Sequence, residues 1–268
     1  MMINDKLVLV SGASSGIGAA TAKAMVKAGG RVVLLARRKE ALDRVVAEIT
    51  SAGGQVWSYS IDLADADAVT AVAKQITEKL GTPDIIINNA GAGRWLFVDE
   101  TSPAEAVEMM AVPYFAAFNV THAFLSAMLI RNSGHIVNIS SVGSRFVWPG
   151  ATAYLAARWA LRGFTEALRA DLAGSGIGVA LYESSVVTSP YWKLNLGSRE
   201  RVPKIAELIP EITPEQAANA IIRGVEKNKH LIMFPFMMKL TYWLHVLFPG
   251  VVQWLMTKTG YRRMQKEK

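Results

Sequence analysis

A chain of 268 residues with 51% hydrophobic side chains, 19% charged ones and a mean hydropathy of +0.23 has the apolar content for a sizeable core, which excludes an intrinsically disordered protein. It contains no cysteine and only four scattered histidines, so a disulfide scaffold, a thiolate metal site and a histidine metal cluster are excluded, and no metal is expected. The net charge of +7 does not describe a basic face: from Lys229 onward seven lysines and arginines stand against the single acid Glu267, a balance of +6 that leaves about +1 for everything before, so no nucleic-acid partner is indicated.

The start, MMINDKLVLVSGASSG, has no basic stretch followed by a long apolar run and a cleavage site; no secretory signal is read there, and a reducing cytoplasm is the favoured compartment. Short apolar runs rich in β-branched residues predict strands over 6–11, 31–36, 55–60, 84–88, 135–140, 178–182 and 230–234. Amphipathic stretches over 16–29, 38–52, 65–80, 103–130, 151–173 and 213–227 predict the helices between them. Strands that alternate with helices in this way imply right-handed crossovers and an α/β, doubly wound parallel sheet with helices on both faces. No repeat or linker divides residues 1–234, which read as a single domain. Two regions break the alternation. The irregular stretch 184–212 is long enough to be a lid, and 235–268 is expected to be an apolar and basic helical extension.

The first strand runs directly into SGASSGIG and then a helical pattern. Gly12, Gly16 and Gly18 allow a tight turn and close backbone approach, and Ser14, Ser15 and Ile17 complete a cradle. Its helix offers free N–H groups and the positive end of a dipole to a pyrophosphate. The second strand ends LLARRK. A free ribose 2′-hydroxyl usually meets an acid at this point, whereas Arg37 and Arg38 suit a 2′-phosphate, so NADP(H) is expected rather than NAD(H). Further on, the spacing of YLAAR places Tyr154 and Arg158 one turn apart on one helix face. A fixed cation beside a phenol favours the phenolate and readies a tyrosine for proton transfer.

Taken together, GASSGIG, NNAG at 88–91, NISS at 138–141 and a tyrosine thirteen residues after Ser141 resemble the short-chain dehydrogenase/reductase family, in order, from about residue 5 to 234. The resemblance implies a Rossmann-type sheet of about seven strands and hydride transfer between a nicotinamide and a carbonyl or alcohol carbon. It places the substrate-binding serine at Ser141 and the proton donor at Tyr154. Asp62, with Leu63 beside it, falls at the adenine-contacting acid, and Asn89, Ala90 and Gly91 fall beside the cofactor. Thr188 falls at the nicotinamide carboxamide. Chemistry agrees for the catalytic pair, because a ketone oxygen gains charge as hydride arrives and needs a donor and a proton source.

Three positions depart from the family pattern. Its lysine, which together with the tyrosine also contacts the cofactor at the nicotinamide ribose, is Arg158 beside Tyr154; arginine keeps the charge and can hold the ribose but cannot release a proton. Its asparagine in the preceding long helix is Pro113, which predicts a kink there and removes an amide. Its Pro-Gly after the sixth strand is Glu183-Ser184, and a buried carboxylate needs a partner or a proton. Pairing with Arg158, an outward turn and a cationic substrate are all open for Glu183.

Trp95, Phe97, Phe146, Trp148, Tyr191 and Trp192 crowd the segments expected round the site and suit a hydrophobic carbonyl or alcohol substrate. Ala116, Ala117, Ala156 and Ala160 suit close packing between subunits of a homodimer or homotetramer. Pro235, Lys239, His245 and Pro249 interrupt the tail, so it does not read as a bilayer-spanning helix. Peripheral contact with an anionic membrane surface and packing over the pocket or a neighbouring subunit are both open for it. Two functions stand: an NADP(H)-dependent oxidoreductase, or a cofactor-binding protein with little turnover.

Overall fold

Seven short apolar runs pair side by side, all parallel, in the order β3-β2-β1-β4-β5-β6-β7. They are β1 (Leu7–Ser11), β2 (Arg31–Ala36), β3 (Val56–Ser60), β4 (Ile85–Asn88), β5 (Gly134–Ile139), β6 (Ile177–Ser184) and β7 (Leu231–Phe234). The computed structural model describes residues 2–263. Every residue of β1, β4 and β5 is buried, which is why LVLV in β1 and III in β4 read as unbroken hydrophobic runs rather than alternating ones. The expected α/β doubly wound sheet, with helices on both faces, is what the chain forms.

The helices are α1 (Gly16–Lys27), α2 (Lys39–Ser51), α3 (Ala66–Leu80), α4 (Pro103–Met110), α5 (Ala116–Arg131), α6 (Thr152–Asp171), the single turn α7 (Tyr191–Leu194), α8 (Pro214–Glu226), α9 (Phe236–Leu247) and α10 (Pro249–Thr259). One face of the sheet packs on α1, α2 and α8 through Met25, Leu42, Ile49 and Ile221. The other packs on α3, α5 and α6 through Ile76, Phe124, Met128 and Leu168. A third cluster, outside the carboxyl ends of the strands, gathers Trp95, Met109, Phe146, Trp148, Tyr154, Met233 and Met238.

The helix predicted over 103–130 is two. The backbone opens into a π-turn over Ala111–Phe115, where Val112 leaves the helical region (φ −136°, ψ 105°) beside buried Pro113, so the predicted kink is present. By length and composition Pro103–Arg131 could cross a membrane, but Phe124 and Met128 lie on the sheet and Asn119 donates to the Leu63 carbonyl at 3.0 Å. β6 runs two residues further than predicted, because Glu183 and Ser184 pair with Met233 and Phe234 of β7. Of the alanines expected between subunits, Ala156 is exposed and Ala160 half-buried, but two need correction. Ala116 and Ala117 are buried within the molecule, and the outer face there shows Phe115, Phe118 and Trp159 instead.

β1 and β4 are sheet neighbours although two strands and three helices separate them in sequence. The chain therefore leaves these two strands in opposite directions, opening a crevice at their carboxyl ends.

Candidate active site

The turn after β1 occupies that crevice. Gly12 and Gly16 have φ of +64° and +56°, which an L side chain rarely adopts, and a Cβ on Gly12 would lie 2.7 Å from the Ala90 Cα, a contact backbone cannot yield. Asn89 fixes the turn from the other strand: its Nδ2 donates to the carbonyls of Ser11 and Gly12, each at 3.1 Å, and its N–H donates to Ser11 Oγ at 3.0 Å. Ser15 makes no side-chain cap, so the first-turn N–H groups of α1 keep no side-chain acceptor.

Gly18 serves packing rather than the cavity wall. A Cβ there would fall 2.4 Å from the Gly12 carbonyl oxygen.

A single cavity of about 830 Å³ starts at this turn and passes along the carboxyl ends of the strands to the third cluster. Gly12, Ser14, Ser15, Gly16 and Ile17 line one end, with Arg37, Arg38, Asp62 and Leu63 beside them. The Arg38 guanidinium donates to Ser14 Oγ and Ser15 Oγ at 3.4 and 3.3 Å, lying across the cradle. Asn89, Ala90 and Gly91 form the middle, and Ser141, Tyr154 and Arg158 lie further along. A glycine turn that no Cβ fits, uncapped helix N–H groups and two arginines fit a dinucleotide carrying an extra phosphate.

Thr188 does not join them. Its hydroxyl donates to the Ile212 carbonyl at 3.2 Å, it is exposed, and it does not line the cavity. The next residue, Ser189, does, with its Cβ 3.4 Å from where a Gly16 side chain would begin. The bridge between Val187 and Ile212 turns Thr188 away, a register that sequence does not show.

Tyr154 is buried by Trp95, whose ring lies 5.1 Å from it, and by Tyr191 at 6.4 Å. The Arg158 guanidinium sits over the face of the Tyr154 ring, 5.0 Å from its centre, and donates to the Ile139 carbonyl at 3.3 Å. One of its nitrogens would lie 2.8 Å from a Cβ on Gly91, so glycine there leaves room for the guanidinium. The buried Arg158 Nε has no acceptor among the described residues. Ser141 Oγ accepts from the Gly143 N–H at 3.2 Å, which ties the hydroxyl to the start of the turn that follows β5.

Glu183 pairs with none of the partners open to it in the sequence. It is fully buried, held by Arg145 Nε at 2.6 Å and by the Ser144 hydroxyl. Arg145 in turn lies 4.7 Å over the ring of Tyr242 in α9. One carboxylate thus joins β6, the turn after Ser141 and, through Arg145, the C-terminal helices. Sequence reasoning missed Arg145 because its 38-residue separation from Glu183 carries no pattern.

Of the aromatic residues expected around the substrate, Trp95, Phe146, Trp148, Tyr191 and Trp192 line the cavity. Phe97 does not; it packs on Tyr261 and beneath Arg201 and Arg263. The Tyr191 hydroxyl donates to the Gly93 carbonyl at 2.6 Å and accepts from Trp95 Nε1 at 3.0 Å, and burial raises its pKa far above the usual phenol range. It stays a neutral, fully bonded wall. The mouth of the cavity is formed by residues of the stretch 202–209, within the expected lid, and of α9 and α10, for which packing over the pocket was one of the placements the sequence left open.

Residues 6–196 match the family model described as short chain dehydrogenase. The chain is 32% identical over 265 residues to a dehydrogenase/reductase SDR family protein 7-like of Anopheles gambiae, covering 96% of this chain and 83% of that protein. It is 33% identical over 228 residues to a fatty acyl-CoA reductase of Acinetobacter baylyi, covering 84% and 75%. Among solved structures, a metagenomic short-chain oxidoreductase in complex with NADP superposes with a TM-score of 0.71 at 31% identity, covering 84% of this chain and 91% of that one. A glycine turn at the β1/β4 crevice, the serine and tyrosine beyond it and a match over most of the length have one explanation: the chain belongs to the short-chain dehydrogenase/reductase family of oxidoreductases.

Proposed function

We propose that the protein is an NADP(H)-dependent reductase or dehydrogenase acting on a hydrophobic carbonyl or alcohol. The observation that carries this reading is the continuity of one cavity from Arg37 and Arg38 through Gly91 to Tyr154 and the indole wall of Trp95, Trp148 and Trp192. The relatives support it: one is named a fatty acyl-CoA reductase, and a solved neighbour holds NADP.

When bound, the nicotinamide supplies or takes the hydride. The chain does the rest. Gly12, Ser14, Ser15 and Gly16 hold the pyrophosphate, Arg37 and Arg38 the 2′-phosphate, and Asp62 and Leu63 the adenine end. Asn89, Ala90 and Gly91 support the middle, and Arg158, which lines the cavity beside Gly91, takes the family lysine's place toward the nicotinamide ribose. Ser141 donates to the substrate oxygen and Tyr154 gives it the proton as hydride reaches the carbon, so a carbonyl becomes an alcohol. Arg158 holds positive charge over the tyrosine but passes no proton on, which leaves replenishment to solvent. A second copy of this chain is proposed to cover the outer face carrying Phe115, Phe118 and Trp159.

Titration with NADPH and NADH, followed by mixing with aromatic and aliphatic ketones and aldehydes, tests the reading. NADPH should bind more tightly, Arg37→Ala should erase that preference, and one or more hydrophobic carbonyls should oxidise it. A second reading, a cofactor-binding protein with little turnover, draws on the Arg158 guanidinium stacking on the ring and bonding to Ile139. Tight binding with no oxidation across the panel would support it instead.

A further inference from the structure

The two C-terminal helices carry more apolar side chains than the fold uses up. Their inner side is anchored: Met238 is buried, and Tyr242, Val252 and Met256 pack against the third hydrophobic cluster. Gln253 donates to the Val147 carbonyl, and Arg263 forms a two-armed bond with Asp99 at 2.7 and 2.8 Å, so the pair is held down at its end. Their outer side is apolar and open. Phe236 is 76% exposed, Leu247 65%, Trp243 60%, and Phe248, Val251 and Trp254 more than half. Folding has not hidden these side chains although water penalises each of them, which marks a surface built for something other than water.

Charge points to the occupant. Residues 227–263 contain no acid, and six lysines and arginines lie among them. Two are set directly on the apolar face: the Lys239 ammonium lies 5.9 Å over the Phe236 ring and that of Lys258 4.5 Å over Trp254. Large aromatics capped by lysines, on helices without carboxylates, complement an interface whose apolar layer lies beneath anionic headgroups.

The cavity opens on the same face. Leu194, Leu208, Met237, Leu240 and Leu244 all line it, and all are themselves exposed, so they form its rim. That rim is apolar and is shared by the lid and α9. We infer that α9 and α10 seat the protein on an anionic bilayer surface, with the rim pressed into the headgroup region, and that the substrate is a lipid-dissolved carbonyl or alcohol that enters from the membrane without crossing water. The docking stands by itself; the entry route rests on the oxidoreductase reading above.

Co-sedimentation of the full chain with vesicles tests the docking. It should bind vesicles of phosphatidylglycerol mixed into phosphatidylcholine at least about tenfold more tightly than pure phosphatidylcholine, and lose that margin in high salt. Trp243→Glu combined with Trp254→Glu should abolish binding while an unchanged melting temperature shows the fold intact. Lys239→Glu combined with Lys258→Glu should remove only the anionic preference. The tryptophans and lysines lie outside the cavity, so turnover of a water-soluble ketone should be unaltered in both variants. Turnover of a long-chain aldehyde dissolved in the vesicles should fall at least about tenfold in the tryptophan variant.

Absence of vesicle binding, or a tryptophan variant that instead splits a wild-type oligomer into smaller species, overturns the docking and makes the face an interface between copies. Binding with no turnover of any carbonyl leaves the docking standing and removes the oxidoreductase reading.

Discussion

Glu183 shows most plainly what a single residue does here. A carboxylate with no solvent contact is tolerable because the Arg145 guanidinium and the Ser144 hydroxyl take both its oxygens. Replacing it by alanine leaves Arg145, only 9% exposed, without its counter-charge. Glu183→Ala should therefore lower unfolding stability by about 3–5 kcal/mol in denaturant titration. Adding Arg145→Met should return most of that loss, because the charge left buried and unpaired at this site is then gone. The turn that carries Ser141 is tied to the same pair, so Glu183 acts as a positioning residue for it. Two residues only four positions apart, Ser141 and Arg145, thus differ in legibility. Ser141 was readable from its motif, while the partner of Glu183 was not, because an ion pair across 38 residues leaves no local periodicity. Tyr154 and Arg158 were readable as neighbours, since helical spacing fixes that. Stacking of the guanidinium on the ring rather than its approach to the hydroxyl was not, since side-chain rotamers lie below what spacing encodes.

At the scale of elements, the strands and helices were legible because each is a buried apolar run or an amphipathic stretch bounded by turn residues. The exceptions are informative. Val112 and Pro113 open α4 and α5 into a bend that the proline announces. Thr188 faces away because a one-residue bridge to Ile212 sets its direction, and a loop register has no sequence signature. Within β5 sits His135, 2% exposed, whose pKa burial pushes down to about 4 from 6.5. The folded protein holds this imidazole neutral, whereas the unfolded chain protonates it near its ordinary value. Stability from this group is therefore full above pH 6.5 and drains as pH falls toward 4, by roughly 3 kcal/mol in all. Denaturation midpoints measured across that window should decline for the wild type, and the decline should flatten in His135→Asn. An equal slope in both would assign it to other groups.

On the scale of the whole molecule, three surfaces meet along one line: the glycine cradle at the β1/β4 crevice, the Tyr154 cluster, and the apolar rim shared by the lid and α9. A cofactor end that is polar and cationic, and a far end that is aromatic and then openly apolar, give the cavity a direction. Sequence composition put the basic charge in the tail. It could not show that the tail folds back beside the cavity mouth, because that depends on Met238 and Tyr242 finding the third cluster. The most direct test of the account is rapid mixing of NADPH-loaded protein with a hydrophobic aldehyde, wild type beside Tyr154→Phe. On the proposed reading, in which Tyr154 delivers the proton, removing its hydroxyl should leave NADPH affinity unchanged and slow its oxidation by about 100-fold or more. Oxidation at the same rate in both proteins would contradict the assignment of Tyr154 as the proton donor.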